Sequence, residues 1–188
     1  MKLVGMMATY NDEDIIKEVI EYYLSQDVHL VILDHMSTDN TFDICDGFAS
    51  AGKISLERYP SRMWEWGSMK RALYDLALRQ QPDWVLLLGS DEFIESGITD
   101  VTLSAFIEDV ERRGYNIVGC DTFDFQITDD DLNEPPSIRQ RMRYYTYRHC
   151  PLLFRAWKYY SGIEIQAWSY PIFPDYQAYK IYTSNLIL

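Results

Sequence analysis

Cysteine is scarce in this 188-residue sequence and shows no pairing pattern. Cys45, Cys120 and Cys150 are odd in number and far apart, with no CxxC spacing. They read as free thiols in a reducing compartment. Positive charge is also in short supply: 17 Lys and Arg face 29 Asp and Glu, a net charge of −12. Sequence-independent nucleic-acid binding rests on neutralising phosphates, so that class is excluded. A polybasic anchor to anionic lipid is excluded on the same ground. A small phosphate ligand is not, because a bound metal ion inverts the local field. No apolar run reaches the ~18 residues of a transmembrane helix. The start, Met1-Lys2-Leu3-Val4-Gly5, has no signal-peptide core and enters a strand directly. A cytoplasmic protein is expected, free or peripheral at a membrane. Glycine is missing from Met6-Met7-Ala8-Thr9-Tyr10-Asn11, where a phosphate-binding glycine loop would follow a first strand.

What is present is an ordinary globular composition, 47% hydrophobic and 24% charged. The length suits one domain with a real core, spanning residues 1–188. Strand and helix signals alternate through the first half. Strands are expected at Leu3 to Ala8, Val28 to Leu33, Ile54 to Tyr59 and Trp84 to Leu88. Between them, Ile15, Ile16, Val19, Ile20, Tyr23 and Leu24 share one helical face. Asn11 or Asp12 is expected to cap that helix, and Ser37 or Thr38 the next, which carries Phe42, Cys45 and Phe48. A third helix is expected over Trp66 to Leu78. This βαβαβαβ order predicts an α/β fold with a mostly parallel central sheet and helices on both faces.

Residues 1–95 therefore read as one regular half, and residues 96–188 as a less regular one. The second half offers a helix at Val101 to Arg113 and a strand at Tyr115 to Gln126. An acidic loop follows at Asp129-Asp130-Asp131, and then an aromatic, basic stretch. The ending Asn185-Leu186-Ile187-Leu188 resembles a strand cut in mid-run, so a piece of a longer protein is expected.

The chemistry gathers at strand ends. The first strand runs into Thr9, Tyr10 and Asn11, the second into Asp34, Ser37, Thr38 and Asp39, the fourth into Ser90, Asp91 and Glu92. Parallel strands point one way, so these groups should converge on the carboxyl edge, where open α/β sheets bind ligands. Carboxylates there are suited to hold a divalent cation against a phosphate.

Thr9-Tyr10-Asn11-Asp12-Glu13, then Asp34-x-x-Ser37-Thr38-Asp39-x-Thr41, then Ser90-Asp91-Glu92-Phe93 resemble the family 2 glycosyltransferases of GT-A fold. The last segment looks like a subgroup whose metal-binding DxD motif ends in Asp-Glu-Phe. The resemblance covers residues 3 to 95 well and the rest weakly. It implies a hexosyltransferase, inverting, that moves sugar from a nucleotide-diphosphate donor to an acceptor. That acceptor would be a saccharide, a lipid-linked group or a protein. It places Thr9, Asn11, Asp34, Asp39 and Arg71 at the nucleotide, and Asp91 with Glu92 on Mg²⁺ or Mn²⁺. Gly89 stands where the first DxD acid belongs, and side chains at successive strand positions point to opposite faces. The resemblance also implies a general base beyond the DxD strand, with Asp121, Asp124, Asp129 and Asp130 as candidates and Asp129 favoured because it ends an expected strand. A nucleotide-sugar-binding or scaffold domain without turnover, and a nucleotidyltransferase, are the alternatives.

Two further groups remain open. Arg139, Arg141 and Arg143 alternate and would share one face of a strand. They would bind a diphosphate or pair with the acidic loop. His149 is a candidate metal ligand. The many Trp and Tyr residues suit sugar binding or core filling.

Overall fold

The computed structural model describes residues 1–61, 63, 65–126, 128–129, 137–148, 154–160 and 181–187. Four strands form the parallel part of the sheet: β1 (Leu3–Thr9), β2 (His29–Asp34), β3 (Ile54–Arg58) and β4 (Trp84–Leu88). The helices between them are α1 (Ile16–Ser25), α2 (Thr41–Ser50) and α3 (Trp66–Leu78). Then follow α4 (Leu103–Arg112), β5 (Ile117–Gln126), α5 (Ile138–Arg141), β6 (Tyr144–Arg148), β7 (Phe154–Lys158) and β8 (Ile181–Ile187). The strand order is β3-β2-β1-β4-β7-β5-β6, with β8 also paired to β5. Strand β7 runs antiparallel to both β4 and β5, so β5 points the same way as β4. No helix among the described residues is long and apolar enough to cross a membrane.

The alternation of side chains assigns each strand residue to one of two cores. Leu3, Met7, Leu30, Ile32, Trp84, Leu86, Val118 and Ala156 pack with α1 and α4. Val4, Met6, Val31, Leu33, Val85, Ile117 and Trp157 pack with Met69, Leu73 and Ala77 of α3. Covered on both faces, β1 shows no polar alternation, as parallel strands generally do not. Gly5 lies on the α1 side, where a Cβ would stand 2.8 Å from both Leu88 and Val28. Helix α4 has the sharpest division of faces, with Leu103, Phe106, Ile107 and Val110 buried. Thr102 caps it by accepting from the Ala105 amide at 3.2 Å.

Helix starts depart from expectation at α1 and α2. Ile15 and Asn40 occupy the N-cap positions, and neither makes a side-chain cap. Asp12 lies too early in the chain: its carbonyl receives the Ile15 and Ile16 amides, while its carboxylate turns back to Thr9. Ser37 and Thr38 serve the loop instead. The arginine alternation is also resolved differently. Arg139 and Arg141 belong to the short helix α5, so the strand face expected for them does not form. Ser137 and the Ile138 amide tie α5 to Glu18 of α1, at 2.6 and 2.9 Å. Arg139 pairs with Glu95 and lies 4.5 Å over the Tyr22 ring, while Asp130 and Asp131 of the acidic loop lie outside the described residues.

Candidate active site

Two loops at the carboxyl edge are laced together by their own polar side chains. The loop after β1 and the loop after β2 exchange hydrogen bonds across residues 9–13 and 37–41. The Asp12 amide donates to Thr41 Oγ1 at 2.7 Å, and the Thr38 amide to Asn11 Oδ1 at 2.8 Å. The Asn11 amide donates to Ser37 Oγ at 3.1 Å, and the Glu13 amide to Asp39 Oδ2 at 3.3 Å. Glu13 in turn accepts from the Asn40 amide and side chain at 2.9 and 2.6 Å. The Thr9 hydroxyl, buried, donates to Asp12 at 2.6 Å. Burial alone would raise the Asp39 carboxyl, but hydrogen bonds from Thr41 and the Glu13 amide outweigh it and hold the group below its ordinary range.

Asn11 and Met36 both take positive φ, 54° and 58°. Asn tolerates that region by its short polar side chain, whereas Met has no such help. Backbone strain of this kind clusters where a loop is held in one shape for a ligand. Asp34 is wholly buried at the end of β2. Its carboxylate accepts from the Ser37 amide at 3.2 Å and faces Arg58 Nε at 3.5 Å. Arg58 stacks 3.7 Å over Phe42, which fixes the guanidinium across the loop. His35, also buried, lies between the rings of Tyr10 and Tyr59.

The end of β4 explains Gly89. A Cβ at this position would stand 2.7 Å from Glu92 Cδ and 2.8 Å from Glu92 Oε2. The Glu92 side chain thus folds back into the space that an acid at 89 would need. There it accepts from the Gly89 amide at 2.8 Å and pairs with Arg155 Nη2 at 2.5 Å. Burial raises the Glu92 carboxyl above its ordinary value, against the lowering by Arg155 and the Gly89 amide. Tyr23 anchors the same turn, donating to the Glu92 carbonyl at 2.9 Å and accepting from the Ile94 amide at 3.0 Å.

Asp91 is exposed. Of Asp12, Glu13, Asp34, Asp39, Asp91 and Glu92, it alone makes no hydrogen bond or ion pair among the described residues. Among the described residues no group of three or more His, Cys, Asp and Glu side chains could hold a metal ion. The open donor set at β4 is thus one carboxylate. That matches a hard cation of the Mg²⁺ kind, which binds through one or two carboxylates and takes its other oxygens from substrate phosphates and water.

Arg71 lies on the exposed side of α3, while its neighbour Lys70 is half-buried. Burial first, and the charge of Arg155 second, lower the Lys70 pKa. Arg155 is therefore the cation that the fold pairs with Glu92. Sequence reasoning missed it. A signal existed for Arg155: it alternates with Trp157, a buried residue, so its charge lies on a core face. Asp129 is exposed, and among the described residues no hydrogen bond or ion pair links it to this edge. His149 and Asp130 lie outside the described residues.

Residues 4–149 match the model of Glycosyltransferase family 92. The chain belongs to that family. The resemblance to family 2 is thus refined to a different glycosyltransferase family, and the DxD subgroup stays an expectation. Among curated proteins no sequence match was found. The fold is similar to that of S. aureus TarS, with TM-score 0.56 and 18% identity over 84% of this chain and 28% of that one. TarS 1-349 in complex with UDP and with UDP-GlcNAc gives TM-score 0.54 at 20% identity. Those two matches cover 71% of this chain and 40% and 39% of theirs. This family 92 chain thus spans well under half the length of the solved structures that it resembles.

Proposed function

We propose that this family 92 chain binds a nucleotide-diphosphate sugar at its carboxyl edge and transfers the sugar to an acceptor hydroxyl. The observation that carries the reading is Asp91. It is the acid that the edge leaves open, at the end of a buried strand, beside loops already locked by their own hydrogen bonds. The similarity to TarS bound to UDP-GlcNAc supports a nucleotide-sugar donor. The clasp formed by Asn11, Thr38, Asp39 and Thr41 holds the loops that meet the nucleotide, with Thr9 and Asp34 fixing their bases. Asp91 holds Mg²⁺ or Mn²⁺, which supplies charge neutralisation for the departing diphosphate when bound. Glu92 braces the turn that aims Asp91.

Transfer by a single displacement inverts the sugar and needs a carboxylate to take the acceptor's proton. Asp129, exposed just past β5, is our candidate for that base. The acceptor is a saccharide, a lipid-linked group or a protein hydroxyl.

The test is a calorimetric titration of UDP, GDP and their sugar conjugates, with and without Mn²⁺, on the wild type and on Asp91→Asn. We expect one base to bind and Mn²⁺ to tighten it in the wild type only. A flat response across the panel overturns the reading. Binding without hydrolysis or transfer would instead identify a donor-binding domain without turnover.

A further inference from the structure

Four aromatic rings form a ladder across β5 and β6. The register sets Phe123 opposite Tyr147 and Phe125 opposite Tyr145. Alternation puts all four on one face of the strand pair. The rings meet in sequence. Phe123 lies 5.0 Å from Tyr147 and 5.1 Å from Tyr145, centroid to centroid, and Phe125 lies 5.6 Å from Tyr145. Asp121, two residues before Phe123, accepts from the Tyr147 hydroxyl at 3.1 Å and orients that ring. Cross-strand aromatic pairs stabilise a strand pair, yet these rings stay half in water. Phe125, Tyr145 and Tyr147 are 47%, 54% and 49% exposed. A contiguous apolar face left open in this way marks a binding surface.

The ladder also stands beside the candidate site. Ile117 lies in the core that holds α3, and the alternation of β5 carries Asp121, Phe123 and Phe125 on that same face. Gly89 continues the matching face of β4, after Val85 and Leu87. Leu86, Ala156 and Val118 are aligned across β4, β7 and β5, so Asp121 stands level with Gly89, two strands away. Two strand spacings are about 10 Å. The rings begin just beyond Asp121, past the carboxyl edge.

We infer that Phe123, Phe125, Tyr145 and Tyr147 are the platform on which the end of a glycan chain stacks as acceptor. The inference rests on the transfer reading above and narrows its acceptor to a saccharide. A pyranose has a face of C–H bonds and a rim of hydroxyls. The C–H face meets the electron-rich face of an aromatic ring, and the rim meets phenol hydroxyls and carboxylates. The ladder supplies the rings, two phenol hydroxyls and the Asp121 carboxylate. Rigid rings lose little conformational freedom on binding, which suits a flexible ligand. A net charge of −12 disfavours an anionic membrane or a nucleic acid on the same rings and leaves a neutral, hydroxyl-rich ligand. The gap to β4 lets a chain of sugars rest on the rings while its end reaches the donor.

The experiment is saturation-transfer NMR on the full chain, with cellobiose, lactose, diacetylchitobiose and mannobiose as probes. At least one disaccharide should receive saturation, strongest at its axial C–H protons. Phe125→Leu and Tyr145→Ala, both at exposed positions, should each weaken it roughly fivefold, the scale of one lost ring contact. Phe125→Tyr should retain it, since a ring face remains. Binding of UDP or GDP with Mn²⁺, followed by calorimetry, should be the same in all three variants as in the wild type. No saturation of any disaccharide, or variants that bind like the wild type, overturns the platform. The donor reading then stands if UDP or GDP still binds. Disaccharide binding with no nucleotide binding overturns the donor reading and leaves the platform standing. Self-association in sedimentation that Tyr145→Ala abolishes overturns the saccharide in favour of a second copy of the chain.

Discussion

Replacing Gly89 by alanine tests the packing at the end of β4. The new methyl would stand within 2.8 Å of three Glu92 atoms, so the Glu92 carboxylate must leave. Its displacement is sterically easy, because it is the free end of a flexible side chain. What is lost is its hydrogen bond from the Gly89 amide at 2.8 Å and its pairing with Arg155 at 2.5 Å. Both groups are mostly buried, with side-chain exposures of 23% and 15%. Hydrogen bonds to charged groups contribute about 1.5–3 kcal/mol each. Partial retention of the Arg155 contact and the ~0.4–1 kcal/mol entropic benefit of Gly→Ala oppose that loss. We expect a net destabilisation of about 2 kcal/mol in urea denaturation followed by circular dichroism. The decisive comparison is a double-mutant cycle with Glu92→Ala. If Glu92 fills the space, Gly89→Ala should cost almost nothing once that side chain is gone. A coupling energy above ~1 kcal/mol then separates the pair from independent sites. Costs that simply add would refute the explanation of Gly89.

Asp91→Asn should leave the melting temperature almost unchanged, since no partner is removed. Turnover should fall roughly 10²-fold or more, the scale of a lost electrostatic contact to a transition state; equal transfer rates would remove Asp91 from the site. Asn11→Ala should destabilise by about 1–2 kcal/mol, measured by urea denaturation. It loses the acceptor of the Thr38 amide at 2.8 Å and places alanine at a φ of 54°. Melting temperature against pH should show opposed limbs. Asp39 and Glu111 have carboxyls held low in the fold, so their contribution is present above the unfolded value and lost as pH falls through the folded one. For Glu111, burial raises the group, but the bonds from Lys158 and Trp84 outweigh it. Glu92 is raised by burial, so its effect has the opposite sign: stability declines as pH rises from the unfolded value through the folded one. Glu92→Gln should flatten that second limb alone; a limb that persists in the variant would assign it elsewhere.

The first half of the fold was legible because its signals are local. Helix α3 and strand β4 lie where residue periodicity and the flanking breakers put them, over Trp66–Leu78 and Trp84–Leu88. The convergence of Thr9, Asp34 and Asp91 on one edge follows from strand direction alone. The caps were misplaced because the Asp12 carboxylate turns back to Thr9 while Asn11, Ser37 and Thr38 find partners in the opposite loop, and such pairing across 26 to 27 positions leaves no trace in local spacing. The arginines of α5 were misread because their alternation fits a strand as well as a single helical turn.

By itself, then, the order of residues determined a parallel α/β sheet with acids at its carboxyl edge, since hydrophobic period and strand polarity are properties of short segments. It also marked Gly89 as a departure from pattern. Only the tertiary structure decided what that departure means. Strand β7 is inserted antiparallel beside β4, which carries Arg155 from the far end of the sequence to the side of Glu92. The partition of acids into a laced clasp, a paired brace and one open carboxylate is likewise a matter of which side chains meet in space. Composition lists the charges, but the fold determines which of them remain open to a ligand.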